Sequence, residues 1–204
     1  MSAAIRLATM ADAPAIAAIY RPAVTDGVIS FEFTPPSPSE MATRMTATLE
    51  RTPWIVCETN EGVRGYAYAS RHNERAAYQW SVNVSVYVHS AVHRAGIGRA
   101  LYTSLFRILV LQGFHNAYAG ITLPNPASEA LHRAFGFTPV GVYRKVGYKF
   151  GAWHDVEWLE RTLIPHVKDP VPPRPLPELL GTPELEEAMA AGQALLRGSD
   201  VAMR

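Results

Sequence analysis

Hydrophobic residues recur along the first 164 residues with two different periods, which predicts alternating strands and helices. The segment WSVNVSVYV at 80–88 alternates β-branched with polar residues and is typical of a strand. The run at 98–111 places leucines and isoleucines at helical spacing. The predicted strands lie at 4–7, 54–59, 64–70, 80–88, 117–123 and 155–162 with a further aromatic segment at 140–146, and the helices begin near 11 and lie at 38–51, 98–111 and 127–135. This order predicts a mixed sheet covered by helices.

Proline density divides the chain into two parts. Seven prolines within 165–183 exclude a packed helix or a central strand there, so this segment is predicted to be an extended linker. The segment 183–197 begins with proline and glutamates, which is typical of a helix start, and Gly198 is expected to end the helix. We therefore expect a domain over 1–164, followed by an appendage over 165–204 that combines the Pro-rich linker with a short C-terminal helix.

Composition and charge narrow the class of protein. The 204 residues are 48% hydrophobic, which is enough for a core, and the formal net charge is only +1, so a nucleic-acid partner is not expected. No apolar run approaches the length of a membrane span, and mean hydropathy is −0.02, so we expect no membrane partner. Cys57 is the single cysteine. These features predict a soluble cytoplasmic enzyme or small-ligand binder without a metal.

The sharpest local motif is HRAGIG at 93–98, which follows a predicted strand and opens a predicted helix. Glycines let a ligand approach the backbone closely, and the N–H groups of a first helical turn point at an anion. The motif therefore predicts an anion site, with pyrophosphate as the candidate ligand. It lacks the third glycine of a dinucleotide fingerprint and the Gly-Lys-Ser/Thr of a P-loop. A plain strand-to-helix connection remains the alternative.

Together with LPN at 123–125 and a helix that ends on Gly-Phe at 136–137, this motif resembles the GNAT acetyltransferase superfamily. His93 stands where that superfamily has Gln or Arg. Further segments resemble the phosphinothricin acetyltransferase family, whose members act on phosphinothricin or on methionine sulfone or sulfoximine. These segments are Tyr78-x-Trp80, VYV at 86–88, LYT at 101–103, QGF at 112–114, His132 and GxWHDV at 151–156.

The resemblance covers about 4–163 and implies a fold, a co-substrate and an assembly. The implied fold is an α/β (α+β) domain with a mixed, mostly antiparallel sheet flanked by helices and split between the strands at 81–88 and 117–123. The implied co-substrate is acetyl-CoA, and the implied assembly is a homodimer. In a homodimer the tail helix is expected to cover apolar surface on its own domain or on its neighbour.

The resemblance also implies which residues hold acetyl-CoA. The strand backbone would pair with the pantetheine amides, the glycine turn would hold the pyrophosphate, and an asparagine near the strand split would contact the cofactor arm. The residues implied for the cofactor are Val86, Tyr87, Val88, Arg94, Ala95, Gly96, Ile97, Gly98, Arg99 and Asn125. The residues implied for the substrate are Phe31, Glu32, Asn73, Arg75, Tyr78, Val84 and Ser85.

An arginine such as Arg75 suits a carboxylate or a phosphinate because it can donate paired hydrogen bonds. Arg71 and His72 are alternatives for this contact, and the tryptophan that the family has near position 72 is absent. His154 and Asp155 could suggest a metal site or a triad, but no third ligand or nucleophile has a matching context.

The implied catalytic positions are His132 and Asn83. An amine that attacks a thioester must lose a proton, and a histidine can exchange protons near neutral pH. Asn83 stands where the family has Glu or Asp, and an amide cannot take a proton. Three interpretations stay open: His132 or an ordered water accepts the proton, Glu32 reaches the site, or the chain is catalytically weak.

The sequence therefore predicts an acetyl-CoA-dependent N-acetyltransferase that acetylates the amine of a small amino-acid-like substrate by direct attack on the thioester. The alternative is an acetyl-CoA-binding GNAT domain with weak or no catalysis that acts as a sensor or an adaptor.

Overall fold

The computed structural model describes residues 3–197, so Gly198 and the rest of the segment after the last helix lie outside the described residues. Seven strands and five α-helices follow in the order β-α-α-β-β-β-α-β-α-β-β-α. The strands are β1 (Ala4–Leu7), β2 (Trp54–Thr59), β3 (Gly62–Arg71), β4 (Ser81–Val88), β5 (Asn116–Thr122), β6 (Thr138–Lys149) and β7 (Ala152–Thr162). The helices are α1 (Ala13–Thr25), α2 (Pro38–Leu49), α3 (Ile97–Gln112), α4 (Pro126–Ala134) and α5 (Pro183–Arg197).

The strands form one sheet in the order β1-β2-β3-β4-β5-β7-β6. Every neighbouring pair is antiparallel except β4 and β5, which are parallel. The predicted mixed, mostly antiparallel sheet flanked by helices is therefore confirmed. Among residues 3–197, no helix combines the length and the apolar character that a membrane span requires.

Two separate cores lie on the two faces of the sheet. Side chains alternate along β4, so Val82 and Val84 enter the core beneath α3. Tyr87 faces the opposite core, where Tyr66 and Trp54 stack beneath α1 and α2. Because the two faces are covered by different helices, the end of β4 is enclosed from both sides.

The proline-rich tail packs onto the domain that precedes it. Leu176, Leu179 and Leu185 are buried in the same core as α3. The Gln112 side-chain amide donates hydrogen bonds to the carbonyls of Arg51 and Arg174, at 2.7 and 2.8 Å. The segment predicted to be an extended linker contains a short helical turn at Leu176–Leu179, and the helix that follows, α5, covers apolar surface of its own domain.

The last two strands form one long hairpin, where the sequence analysis expects two shorter aromatic segments. Phe150 and Gly151 both have positive φ and make the turn. β6 is the edge strand, and its side chains are exposed along nearly its whole length. The hairpin therefore presents an apolar face that the described part of the chain leaves open.

Candidate active site

The central feature of the site is a split in the sheet between β4 and β5. These strands pair only at Ser81–Asn116, Val82–Ala117 and Asn83–Tyr118, and then they diverge. This is where the sequence analysis places the split. A cavity of about 270 Å³, here the inner cavity, opens between the diverging strands. Its walls include Val84, Ser85, Val86, Tyr87, Val88, Gly98, Tyr102, Gly120, Thr122, Asn125, Leu131 and His132.

The backbone of β4 has free polar groups on the side of the split. The His89 N–H donates to the Arg64 carbonyl at 2.9 Å, and antiparallel pairing alternates from there along β4. Val84, Val86 and Val88 therefore direct their N–H and C=O groups toward the inner cavity. The Val88 carbonyl is already the acceptor of a 3.0 Å bond from the His93 ring. His93 thus ties the following turn to the end of β4.

The glycine turn exposes the start of α3 to the inner cavity. Gly96 precedes the helix with φ of +78°, a conformation that suits glycine, and Gly98 lines the cavity in the first turn. The side chains of Arg94 and Arg99 are exposed and form no salt bridge within residues 3–197. The Ala95 N–H is not free, because it donates to the Val92 carbonyl. Helix dipole and guanidinium charge both favour an anion here.

Asn125 lines the inner cavity and also caps the N-terminus of α4. Its side-chain oxygen accepts a 3.2 Å bond from the Ser128 N–H and thereby caps α4. The residue therefore fixes the helix that carries His132 as well as lining the cavity.

His132 is buried and forms a pair with Tyr102, which the sequence analysis does not single out as a site residue. The His132 Nδ1 lies 2.8 Å from the Ser128 carbonyl, so this nitrogen donates and Nε2 accepts the 3.0 Å bond from the Tyr102 hydroxyl. Burial lowers the pKa of His132 and raises the pKa of Tyr102 far above its ordinary range. The pair is therefore neutral at physiological pH, and His132 has no open nitrogen for a substrate proton.

A second cavity of about 440 Å³, here the outer cavity, lies on the other side of the split. Its walls are Ile29, Phe31, Ser70, Asn83, Val84, Ser85, Gly120, Thr122, Tyr143, Val146, Val156 and Trp158. The two cavities share Val84, Ser85, Gly120 and Thr122, so they meet where the strands part. The buried Trp158 Nε1 has no hydrogen-bond partner within residues 3–197, and it belongs to a wall of this cavity.

Lys149 holds the loop that carries Phe31, a role that the sequence does not reveal. Its ammonium donates to the carbonyls of Val24, Gly27 and Ser30, at 2.7, 3.1 and 2.7 Å. Burial lowers the pKa of this lysine, and the three carbonyls satisfy all of its donors. Phe31 is thereby seated against Gly147 of β6, where a Cβ on the glycine would overlap the phenyl ring.

Glu32 does not reach either cavity, which is a correction to its predicted place in the substrate site. Arg44 donates two hydrogen bonds to its carboxylate, at 2.8 and 2.9 Å, and the Tyr20 hydroxyl donates a third. The Arg44 guanidinium holds the pKa of Glu32 below its usual range. A carboxylate in a paired ion bridge is a poor proton acceptor, so Glu32 fastens the loop to α2.

Asn73, Arg75 and Tyr78 are also absent from the walls of both cavities. They line a separate pocket of about 220 Å³ that includes Arg51 and Arg71. The sequence analysis groups them with the substrate residues because they are close to β4 along the chain. The short helical turn between β3 and β4 contributes to the lining of this separate pocket, and only Phe31, Val84 and Ser85 of the predicted substrate set line the outer cavity.

Asn83 lies where the two strands separate, in the wall of the outer cavity. Its Oδ1 is 2.8 Å from the His72 Nδ1, and its Nδ2 is 3.4 Å from the Arg71 carbonyl. The side-chain amide of Asn83 is therefore hydrogen-bonded to the imidazole of His72.

The side chains of His154 and Asp155 form hydrogen bonds within the β6–β7 hairpin. The His154 ring donates to the Lys149 carbonyl, and Asp155 accepts bonds from the Lys145 N–H and from Arg144. Within residues 3–197, no cluster of three or more His, Cys, Asp or Glu side chains could hold a metal ion.

Comparisons with known proteins agree with this geometry. Residues 5–158 match the family described as the acetyltransferase (GNAT) domain. The chain is 39% identical over 172 residues to the phosphinothricin N-acetyltransferase of Streptomyces viridochromogenes, covering 84% of this chain and 92% of that protein. It is 35% identical over 163 residues to the L-methionine sulfoximine/L-methionine sulfone acetyltransferase of Salmonella typhimurium, covering 79% of this chain and 95% of that protein.

A solved structure gives the same result. The crystal structure of a GNAT superfamily phosphinothricin acetyltransferase from Sinorhizobium meliloti in complex with AcCoA superposes with a TM-score of 0.79 at 38% identity, covering 84% of this chain and 94% of that one. The split sheet, the glycine turn at the start of α3 and these similarities together show that the chain belongs to the GNAT acetyltransferase family.

Proposed function

We propose that this chain is an acetyl-CoA-dependent N-acetyltransferase that acetylates the amine of a small amino-acid-like substrate. The observation that carries this proposal is the meeting of two cavities at the split between β4 and β5. A thioester entering from one side and an amine entering from the other can come into contact there without passing through the sheet. Such positioning replaces an encounter in solution by a reaction between groups that are already aligned.

The inner cavity fits acetyl-CoA, which supplies the acetyl group as a thioester. The backbone N–H and C=O of Val86 and the N–H of Val88 can pair with the amides of a pantetheine arm in the manner of an added strand, whereas the Val88 carbonyl is bonded to His93. Gly96, Ile97 and Gly98 leave the N–H groups of the helix start available for the pyrophosphate, and Arg94 and Arg99 add positive charge.

The outer cavity suits a small polar amine. Its walls combine apolar surface from Phe31, Val146 and Val156 with the polar groups of Ser85 and Asn83. The buried, unpartnered Trp158 N–H is available for an acceptor group of a substrate, such as a carboxylate or a sulfone oxygen. Relatives named for phosphinothricin and for methionine sulfoximine and sulfone act on molecules of this class.

The Tyr102–His132 pair belongs to the thioester side of the split, because both residues line the inner cavity. Since burial raises the pKa of Tyr102, its hydroxyl acts as a hydrogen-bond donor and not as a source of free protons. We assign the Tyr102 hydroxyl the role of hydrogen-bond donor to the sulfur that leaves as the thioester is cleaved. Between turnovers, the hydrogen bond to His132 holds this hydroxyl in position.

A substrate panel tests the proposal. Purified protein mixed with acetyl-CoA and phosphinothricin, methionine sulfoximine, methionine sulfone or common amino acids should release free thiol with at least one amine. Mass spectrometry should show one added acetyl group on that amine. Release of thiol at the rate of buffer alone with every amine would contradict catalysis.

A second candidate function follows from Asn83, because an amide at this position cannot accept a proton. In that case the chain binds acetyl-CoA without turnover and acts as a sensor or adaptor. Micromolar or tighter binding in calorimetry, combined with no acetylation of any amine in the panel, would favour this function over the enzymatic one.

We also propose that the chain forms a homodimer through the β6–β7 hairpin, and that the enzyme works in the cytoplasm. The free, buried Cys57 is compatible with a reducing compartment. The β6–β7 hairpin exposes large apolar side chains, and such a surface is typically covered by a partner. These exposed side chains are Val140, Val142, Tyr143, Val146, Tyr148, Phe150 and Trp153. A second copy would also cover the outer cavity, because Tyr143 and Val146 line it.

Light scattering should give twice the chain mass of 22.4 kDa for the wild type. The double substitution Val140→Glu with Tyr148→Glu should produce a folded monomer, because it places charges in the apolar interface. Val171→Glu is the matched control, since Val171 is at least as exposed but lies in the tail, away from the hairpin. A monomeric wild type, or a double variant that remains dimeric, would contradict the proposed interface.

A further inference from the structure

An imidazole and an amide form a pair at the end of the outer cavity where the strands part. The His72 Nδ1 and the Asn83 Oδ1 lie 2.8 Å apart, and Asn83 lines the cavity. We propose that His72 accepts the proton of the attacking amine and that Asn83 is the positioning residue that orients its ring. This inference rests on the proposed function, and it names the proton acceptor that Asn83 itself cannot be.

The hydrogen bonds of Asn83 determine which ring nitrogen of His72 is open. The Nδ2 of Asn83 lies 3.4 Å from the Arg71 carbonyl, which can only accept, so this nitrogen donates and Oδ1 faces His72. An amide oxygen also only accepts, so the His72 Nδ1 carries the proton. The Nε2 then keeps its lone pair, and within residues 3–197 it has no hydrogen-bond partner.

Aromatic rings hold the imidazole behind the wall of the outer cavity, where His72 contacts the wall residues Asn83 and Trp158 but does not itself line the cavity. The His72 ring stacks on Tyr118 with centroids 4.3 Å apart, and its edge faces Trp158 at 6.1 Å. Trp158 lines the outer cavity, as Asn83 does. Tyr78 lies on the remaining side, with ring centroids 5.8 Å apart. A ring packed from three elements keeps its orientation while a proton arrives and leaves.

The titratable and charged groups around His72 come from four elements. Tyr118 of β5 and Tyr78 of the turn face the ring, and burial raises the pKa of Tyr118. On β7, Glu160 pairs with Tyr118 in register, and Arg71 precedes His72 on β3. None of the facing groups is a carboxylate bonded to the ring.

The two other proton acceptors that the sequence analysis considers, His132 and Glu32, are already engaged. Both ring nitrogens of His132 are occupied by the Ser128 carbonyl and the Tyr102 hydroxyl. The Glu32 carboxylate is held in its bridge to Arg44. His72 thus has the open nitrogen that these two residues lack.

The proton transfer balances with the acetyl transfer. The amine nitrogen forms the N–C bond to the acetyl carbon, and the C–S bond breaks with its electron pair remaining on sulfur. The proton that the amine loses passes to the His72 Nε2, directly or through one water, and is released to solvent when the product leaves. The imidazolium keeps its Nδ1–H bond to Asn83 throughout.

The first test is His72→Gln, which preserves a polar side chain of similar size. We expect kcat at pH 7 to fall by about 100-fold or more, since general-base assistance is worth about 10²–10⁴. Acetyl-CoA affinity should stay within about twofold, because His72 does not line the inner cavity. The increase of the rate through the pH range in which imidazoles titrate should be lost. The matched control is His166→Gln, since the His166 ring lies 2.9 Å from the Asn116 Oδ1 in a similar pair outside both cavities.

The second test identifies the titrating group. Asn83→Asp places a carboxylate against the His72 ring, which favours the protonated imidazole, so the rising limb should move about one unit toward higher pH. This shift should be absent when Asn83→Asp is combined with His72→Gln. A His72→Gln variant that retains the wild-type kcat and pH profile would overturn the inference while the proposed function stands. A wild type that binds acetyl-CoA and acetylates no amine would overturn both.

Discussion

Replacing Gly98 by valine should reduce acetyl-CoA affinity by at least about 100-fold, or about 2.7 kcal/mol, while the protein stays folded. Gly98 lines the inner cavity in the first turn of α3. A Cβ at this position would lie 3.5 Å from the Leu131 Cδ2 and 3.7 Å from the Val88 Cγ2, which are ordinary contacts. The fold can therefore accommodate the Cβ of a valine at position 98. The two methyl groups attached to that Cβ would occupy the space between β4, α3 and α4.

Calorimetry with acetyl-CoA measures this effect, and thermal unfolding shows that the variant is folded. Gly141→Val is a matched control, because a Cβ on Gly141 meets no atom within 4 Å and this glycine lines neither cavity. Equal affinities for wild type and Gly98→Val would show that the ligand binds elsewhere.

Replacing Gly192 by alanine should destabilise the protein strongly, because this glycine lets α5 approach α3. An ideal Cβ on Gly192 would overlap the carbonyl oxygen of Ala100, and a backbone atom cannot move aside as a side chain can. The contact is further specified by Ser104, which accepts a 3.2 Å bond from the Gly192 N–H and donates a 2.9 Å bond to the Met189 carbonyl. Helix α5 must shift away from α3, and the buried contacts around Ser104 are then lost.

We expect the free energy of unfolding to fall by about 2–4 kcal/mol, in the range of other overpacked or disrupted cores. Denaturant unfolding of wild type and Gly192→Ala measures the difference. Ala190→Gly, also in α5, should cost only about 1 kcal/mol through helix propensity and serves as the comparison. Equal midpoint denaturant concentrations for the two variants would contradict the close packing of α5 on α3 at Gly192.

A chain that ends at residue 164 should lose still more stability. Fully burying a leucine is worth about 1.5–3 kcal/mol, and the tail buries Leu176, Leu179 and Leu185, so its removal takes a large part of a typical stability of about 5–15 kcal/mol. The family match ends at residue 158, and these leucines lie after it. We therefore expect the stability of this chain to depend on a segment beyond the matched domain.

Local patterns were enough to predict most of the elements and the glycine turn, and the resemblance to the GNAT superfamily implied the split. Strand alternation in 80–88 and the helical spacing at 98–111 depend on residues a few positions apart. The start of α3 follows from Gly96 and Gly98 for the same reason, because their conformational freedom is a local property. These features specify the family and the place of the cleft.

The substrate side of the site could not be predicted in the same way. Lys149 reaches carbonyls about 120 positions earlier in the chain, and the sequence shows only a lysine at the end of a strand. The sequence shows Glu32 as a loop carboxylate that could accept a proton. In the structure, Arg44 donates hydrogen bonds to both of its oxygens. Asn73 and Arg75 are near Asn83 in sequence but face a different pocket.

By itself, the sequence indicated alternating strands and helices and a glycine turn at the start of a helix, because short-range spacing encodes both. The split of the sheet was implied by the resemblance to the GNAT superfamily. Only the tertiary structure decided which polar side chains are free to react. His72 directly follows β3, and Asn83 lies 11 positions later on β4, so their contact depends on the register of β3 against β4. Whether a titratable group is open, paired or buried is a property of its neighbours, and those neighbours are brought together by folding.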